Sequence, residues 1–507
     1  MRATIFGNLA IDPRAAEPVY RQIADGIRDA LTAGRIAAGQ RLPPTRDLAK
    51  ALGVNRNTVV AAYDLLIETG EATGHAGRGT FLAGPRPTAA PPGDRDPWYG
   101  AFSRAVEGPS VGSLLAVYSV ATAHEGISLA GSYPAGDLMP VEPFRRAVET
   151  VLRERAVEVL SYGPTAGYGP LRETIAAGMR RRGSVCDAAT VLVTNGSQQA
   201  LELALRTLLD PGDAVAVEDP TYTGAISVLS ALGARLVGVP MDEEGLRPDL
   251  LAQALERHRP RVLYVQPTFH NPTTRVMGEA RRREILALAE RHGALVVEDD
   301  WAGDLRLDGT DLPTLHALDR GRRVLHVSTY SKKLLPGLRI GWITAPAPVF
   351  ERLVALKQIE DCGTSPLVQA ALHAFIAAGA ESEHLTRILP AYRARRDAMD
   401  EALRESFPAT ARWTRPTGGL FTWVTLPGGI DGDELFAAAR NRGVLVGRGS
   451  LFHVNGGGRD TLRLTFSSAT EEQIRAGVAV LGELLRERAP DRRPESRERA
   501  LEAVPIL

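Results

Sequence analysis

"VSTYSKKLLPGLRIGW" spans residues 327–342 and holds two of the chain's four lysines, Lys332 and Lys333; the others are Lys50 and Lys357. Lys and Arg together number 60, so arginine supplies nearly all the cationic charge. A primary amine has nevertheless been kept here, between a β-type run and a Pro-Gly turn. Arginine stays protonated and is a poor nucleophile, whereas a lysine can lose its proton and attack a carbonyl. A lysine at a strand end, beside hydroxyls and ahead of Arg339, suits a Schiff base to a phosphorylated aldehyde. A solvent-facing lysine pair at a turn is the plainer explanation, so other stretches must decide.

They converge. "VLVTNGSQQALELAL" reads as a strand, a Gly-Ser turn and a helix, placing Gly196, Ser197 and Gln198 at a helix N-terminus that favours an anion. "AVAVEDPTYTGA" ends a strand and delivers Tyr222, an aromatic able to lie flat on a heterocycle. "RVLYVQPTFHNPTT" ends another with His270 and Asn271 beside Pro272. "ALVVEDDWAG" closes a buried strand on Glu298, Asp299 and Asp300. Three acids behind an apolar run commonly form a solvated loop. An acid at the carboxyl end of a strand in a doubly wound sheet is, however, where ligands are met.

The totals set limits. At 507 residues the chain exceeds one ordinary core, so two or more domains are expected. Zero formal net charge excludes a polycationic nucleic-acid binder and confines any such role to a local patch. Cys186 and Cys362, the only cysteines, lie far apart without metal-ligand spacing, which predicts a reducing, cytoplasmic setting and no metal site. "MRATIFGNLAIDP" lacks a signal-peptide core, and no apolar run approaches a membrane span. "AGPRPTAAPPGDRDP", residues 83–97, has five prolines and linker composition. The tail, "RAPDRRPESRERALEAVPIL", is charged until its last residues.

Ahead of the linker the pattern predicts three helices and a hairpin. Tyr20, Ile23, Ile27 and Leu31 share one face; "PPTRDLAKALG" starts on a Thr cap and stops at Gly53; "NRNTVVAAYDLLIETG" starts on Asn55 or Asn57. Two short helices joined through "GVN" fit a helix-turn-helix presenting Asn55, Arg56, Asn57 and Thr58 to a DNA groove. Arg46, Arg56 and Arg78 fall at helix starts and a loop tip, where phosphates are met. Ten Lys or Arg against eight Asp or Glu in residues 1–85 give only +2, so a helical dimerisation domain is the rival. The string "GQRLPPTRDLAKALGVNRNTVVAAYDLLIETG" resembles the winged helix-turn-helix of GntR-type bacterial regulators, with Pro44 and Asn55 where serine is usual.

From about residue 110 to 490 the motifs, in order, resemble the aspartate aminotransferase superfamily. The resemblance implies the type I fold and pyridoxal 5'-phosphate as cofactor. It makes Lys332 the Schiff-base lysine and Lys333 a bystander. Asp299 then holds the pyridine nitrogen, Asn271 the phenolic oxygen, and Tyr222 the ring face. Gly196, Ser197, Gln198, Thr329, Ser331 and Arg339 would surround the phosphate. Tyr162, in "LSYGPTAGYGPLRE", would reach the partner subunit's phosphate and so implies a homodimer, while Arg463, in "TLRLTFSS", would take a ligand carboxylate.

The combination resembles the MocR/GabR subfamily of GntR regulators. It implies a winged helix-turn-helix over residues 1–82, a Pro-rich linker over 83–109, an aminotransferase-like α/β domain over 110–490 and a charged tail over 491–507. The function implied is a transcriptional regulator that binds promoter DNA and senses an amino-group ligand through aldimine formation. Two departures pull in opposite directions. Trp301 stands where a ring-binding tyrosine is usual, which argues for weak or absent turnover; "FHNPTT" is nearer the enzymes' pattern. A working aminotransferase with a DNA-binding module is therefore the alternative. Lys332, Asp299 and Arg339 argue against a scaffold that has lost its cofactor.

Overall fold

The computed structural model describes residue 11 and residues 18–32, 41–68, 72–75, 79–82, 102 and 126–488. It divides into two compact units, Met1–Phe102 and Ser103–Leu507. Apart from Phe102, the expected linker lies outside the described residues, as do the tail and Arg78.

The smaller unit has helices α1 (Val19–Thr32), α2 (Thr45–Leu52) and α3 (Arg56–Glu68), then an antiparallel hairpin of β1 (Ala72–His75) and β2 (Gly79–Leu82). Ile23, Ile27, Leu48, Val59 and Leu66 point inward at helical spacing and form the core. Gly53 adopts φ +66°, the left-handed turn a Cβ would oppose, and so ends α2 close to the start of α3. The expected Thr cap on α2 is not made. Pro44 occupies the cap position, its carbonyl accepts from Asp47 and Leu48, and Thr45 is already helical. Proline brings no side-chain acceptor, so that first turn lacks a side-chain cap. The start of α3 is capped: Asn55 Oδ1 accepts the Asn57 N–H at 2.9 Å. Leu42 donates its N–H to Thr80 O at 2.8 Å, and Tyr63 Oη donates to Pro43 O at 2.9 Å. These two bonds tie the turn before α2 to the hairpin and to α3.

In the larger unit, β3 (Ile127–Leu129) belongs to a second sheet, while an eight-stranded sheet is built from β4 (Val191–Thr194), β5 (Ala214–Asp219), β6 (Arg235–Asp242), β7 (Gly245–Leu246), β8 (Val262–Val265), β9 (Leu295–Asp299), β10 (Val324–Thr329) and β11 (Gly341–Thr344). Its order is β4-β11-β10-β9-β8-β5-β6-β7, with β10, β9, β8, β5 and β6 parallel and β11 running against both neighbours. The parallel strands read as continuous apolar runs because helices cover both faces. Val215, Val217, Val262 and Tyr264 pack on one face against Leu201 and Leu205; Ala216, Leu263 and Val265 pack on the other against Ile285 and Leu288. This period-two division sends successive residues to opposite layers.

The second sheet adds β12 (Arg412–Trp413), β13 (Phe421–Thr425), β14 (Val444–Arg448) and β15 (Thr461–Thr465) in the order β12-β13-β15-β14-β3. Helices Ala380–Ser406 and Glu471–Arg488 cover it, around Leu403, Phe421, Leu464 and Leu481. Among the described residues no helix is long and apolar enough to cross a membrane. Both cysteines are free thiols.

Candidate cofactor site and nucleic-acid interface

The carboxyl ends of β4, β5, β8, β9 and β10 open onto one region, and the residues singled out above collect there. The three lysines of the larger unit, Lys333 and Lys357 buried and Lys332 half-buried, separate cleanly by their partners. Lys333 Nζ meets Asp304 at 2.5 Å and Glu381 at 2.8 Å and lies 4.4 Å from the Tyr330 ring centre. Lys357 Nζ meets Asp361 at 2.7 Å and Gln199 Oε1 at 3.0 Å. Lys332 has no carboxylate beside it; its Nζ donates to the Ser132 carbonyl at 2.7 Å. Burial first, then the charges of Arg463 and Arg339, lowers its pKa to about 8. An amine so placed is partly unprotonated near neutrality, which is what attack on a carbonyl requires.

The three acids ending β9 also separate. Glu298 Oε1 accepts from Leu315 N–H at 2.7 Å and Oε2 from His316 N–H at 3.0 Å, so it caps the short helix Leu315–Asp319. Burial alone would raise its pKa, but the hydrogen bond and charge of His326 outweigh that and hold it at about 2. Asp300 takes Arg182 at 2.6 Å. Asp299 points the other way: Oδ2 accepts from Tyr264 Oη at 2.8 Å and Gln266 Nε2 at 2.9 Å, while Oδ1 is buried without a partner. Burial raises the pKa of Asp299 to about 6 against those two donors.

The Gly-Ser turn follows β4. Gly196 adopts φ +85° and precedes the helix Ser197–Leu208, at whose first turn Ser197 and Gln198 stand. A Cβ on Gly196 would lie 2.4 Å from Arg339 Nη2, so glycine lets the guanidinium sit against the turn. Arg339 itself is left-handed, φ +51°, a conformation that costs a non-glycine residue about 1 kcal/mol or more. Its Nη2 donates to Asn195 O at 3.3 Å and Nη1 reaches Ser331 Oγ at 3.4 Å. Thr329 Oγ1 lies 3.1 Å from Ser331 Oγ and accepts the Ser331 N–H at 3.1 Å. Gln198 turns from the turn to Tyr222: its Oε1 accepts the Tyr222 hydroxyl at 3.2 Å and its Nε2 donates to Gly224 O at 3.0 Å. Burial, and secondarily Asp299, pushes the Tyr222 phenol up to about 12, so it stays protonated.

Arg463 enters from β15. Nη1 donates to Asn271 Oδ1 at 2.9 Å and Nη2 to Ala130 O at 2.8 Å, with the guanidinium 4.3 Å from the Phe421 ring centre and 5.0 Å from that of Phe452. Burial lowers its pKa from the ordinary arginine value. Trp301 is buried on the same side, stacked on Phe421 at 5.3 Å, and its indole N–H has no partner. Tyr162 is not part of this protomer's site; it is 97% exposed.

These residues fit pyridoxal phosphate: a buried carboxylate oxygen lacking a partner, an amine without a counter-ion, and a glycine turn faced by an arginine and hydroxyls. Three contributors escaped the sequence reading. Tyr264 and Gln266 hold Asp299, and their signal was two polar residues two apart at the end of an apolar strand. Gly341 is the third: a Cβ there would lie 2.4 Å from Gly196 C, so β11 presses on the turn. No local motif marks that contact.

On the smaller unit, Arg46, Asn55, Arg56 and Asn57 are exposed and Thr58 is half-buried, all at the starts of α2 and α3. Arg56 Nε donates to Thr45 Oγ1 at 3.4 Å, so the two helix starts lie side by side. Asn55 spends its side chain on the α3 cap.

Residues 129–481 match the family model of aminotransferase class I and II, and residues 19–82 that of bacterial regulatory proteins of the gntR family. Over 392 residues the chain is 36% identical to aromatic-amino-acid aminotransferase 1 of Thermococcus litoralis, covering 76% of this chain and 94% of that protein. It is 31% identical over 442 residues to the probable rhizopine catabolism regulatory protein MocR of Rhizobium meliloti, covering 86% and 87%. Among solved structures, the α-aminoadipate aminotransferase LysN of Thermus thermophilus, complexed with N-(5'-phosphopyridoxyl)-L-leucine, superposes with TM-score 0.71 and 36% identity over 77% of this chain and 98% of that one. The aminotransferase model falls within the larger unit and the gntR model within the smaller one, and the 442-residue match to MocR is longer than either unit. The chain therefore belongs to the MocR-type GntR regulators, in which a gntR-family helix-turn-helix is joined to a pyridoxal-phosphate-dependent domain of the aminotransferase class I and II fold.

Proposed function

We propose that this protein is a transcriptional regulator that binds promoter DNA through α2, α3 and the hairpin, and reads an amino-group ligand at Lys332. The observation that carries this reading is Lys332 itself: the only lysine among the described residues of the larger unit without a carboxylate partner, in a chain whose smaller unit exposes Arg46 and Arg56. Bound there, pyridoxal phosphate supplies a carbonyl carbon for amines and a ring that withdraws electrons. The chain's own residues do the rest. Asp299 Oδ1 would accept a hydrogen bond from the protonated ring nitrogen. Asn271 orients the ring's oxygen, Tyr222 covers its face, and Ser197, Thr329, Ser331 and Arg339 neutralise the phosphate. Arg463, caged by Phe421 and Phe452, offers a fork for a carboxylate, so the effector class is an amine that also bears a carboxylate.

We assign the assembly as a homodimer. Supporting it, Tyr162 stands almost fully exposed, and Val157, Leu160 and Ile359 are large exposed apolar side chains. A second copy would cover these and deliver Tyr162 to the neighbouring phosphate. We assign it to the cytoplasm, since a regulator that binds promoter DNA must work where that DNA is. Trp301 favours sensing over turnover: indole in an apolar stack replaces a hydroxyl that would otherwise tune the ring.

The test is a pair of titrations on the full chain loaded with pyridoxal phosphate. A panel of amino acids should change the visible absorbance and the affinity for the gene's own upstream DNA at the same concentrations. Rapid multiple turnover on a keto acid, without any effect on DNA binding, would instead make the protein an aminotransferase.

A further inference from the structure

Gln266 follows β8 directly, is 2% exposed, and uses every polar atom of its side chain inside the site. Its Oε1 accepts the Asn271 N–H at 2.8 Å. That backbone group can only donate, so the orientation of the amide is determined and Nε2 faces the other way. There Nε2 donates to Tyr264 Oη at 2.7 Å and to Asp299 Oδ2 at 2.9 Å. Tyr264 Oη donates to the same Oδ2 at 2.8 Å. The Gln266 backbone N–H is anchored on Glu218 Oε2 at 2.8 Å. Resting on the reading that Asp299 and Asn271 hold pyridoxal phosphate, we propose that Gln266 is a positioning residue: with Tyr264 it reserves Asp299 Oδ1 for the ring nitrogen, and it locks that acid to Asn271.

The physical case has two parts. A carboxylate with both oxygens unheld can rotate; two donors on Oδ2 leave one orientation, with Oδ1 buried and without a partner. The same donors favour the ionised carboxylate and oppose burial, which would otherwise neutralise it. At its other end Gln266 meets a residue whose side chain is held by Arg463, 2.9 Å away. A continuous path of hydrogen bonds therefore joins Asp299, Gln266, Asn271 and Arg463, from the ring-nitrogen acid to the carboxylate-binding arginine. A ligand carboxylate that draws on Arg463 acts on the same network that sets the charge at the ring.

The experiment is a spectrophotometric pH titration of the full chain loaded with pyridoxal phosphate, for wild type, Gln266→Met and Tyr264→Phe, with melting temperatures recorded without cofactor. Weakening Asp299 lets the ring nitrogen lose its proton, which removes a positive charge that helps the lysine-linked nitrogen deprotonate. The midpoint of the visible transition should then rise by roughly one pH unit in Gln266→Met and by less in Tyr264→Phe. Unchanged midpoints accompanied only by lower melting temperatures would reduce Gln266 to a packing role and overturn the proposal. Should Gln266→Met fail to fold, the Tyr264→Phe midpoint decides alone, and no shift there overturns it equally. If wild type itself shows no visible band, the cofactor reading fails first.

Discussion

Arg463 and Asn271, 192 residues apart in the chain, are joined by a 2.9 Å hydrogen bond from Nη1 to Oδ1. The group proposed to grip the ligand is thus held by the group proposed to grip the ring. Arg463→Ala should lower affinity for an amino acid by roughly 100-fold, from charge-assisted hydrogen bonds of about 1.5–3 kcal/mol each. The matching amine without its carboxylate should be nearly unaffected. Equal losses for both, measured by absorbance titration, would remove Arg463 from the carboxylate site.

Lys332→Ala should abolish the visible absorbance of the lysine-bound cofactor. Lys333→Ala should keep it but lower unfolding stability by about 1–3 kcal/mol, because the half-buried Asp304 and Glu381 would lose their shared cation. Loss of the band in both variants would contradict the assignment of Lys332.

The pH dependence of the cofactor-free protein should report Asp299. Burial raises its folded pKa to about 6, above its ordinary 3.8. A carboxyl of this kind binds its proton more tightly when folded, so its ionisation penalises the folded state at pH above about 6. The penalty fades as pH falls through that value toward 3.8. Asp299→Asn should therefore gain stability relative to wild type as pH rises from 4 to 8, by on the order of 3 kcal/mol. Urea unfolding at several pH values measures this; a difference independent of pH would mean that Asp299 is already ionised without strain.

For DNA, Arg46→Ala and Arg56→Ala should each weaken binding and reduce the salt slope by about 1, with the cofactor absorbance unchanged. Asn55→Ala should behave differently, costing about 1 kcal/mol of stability through the lost α3 cap and leaving the salt slope intact. An Asn55 variant with a reduced slope and normal stability would place that side chain on the DNA.

Trp301→Tyr should raise the half-reaction rate with an amino acid, since a phenol supplies the donor that the indole does not. It should also destabilise the protein, because Trp301 fills the apolar cluster against Phe421. Stopped-flow absorbance decides; a slower half-reaction would mean the tryptophan assists the chemistry.

Local strings determined the parts whose geometry is local. Ser331, Lys332 and Arg339 lie within one turn region, Gly196 and Ser197 within one strand-to-helix turn, and α2 and α3 within one short segment, so spacing alone brings their groups together. Residue type did the rest for Lys332, the amine in an arginine-rich chain. Tertiary structure decided what spacing cannot carry. Only the strand order β10-β9-β8 puts Tyr264 and Gln266 beside Asp299, and thereby sorts the ring acid from Glu298, a helix cap, and Asp300, the partner of Arg182. Only the antiparallel insertion of β11 brings Gly341 against Gly196, and only the second sheet carries Arg463 to Asn271. Alternating apolar residues state which face of a strand is buried. They do not state which strand lies next to it, and each of these contacts depends on that neighbour.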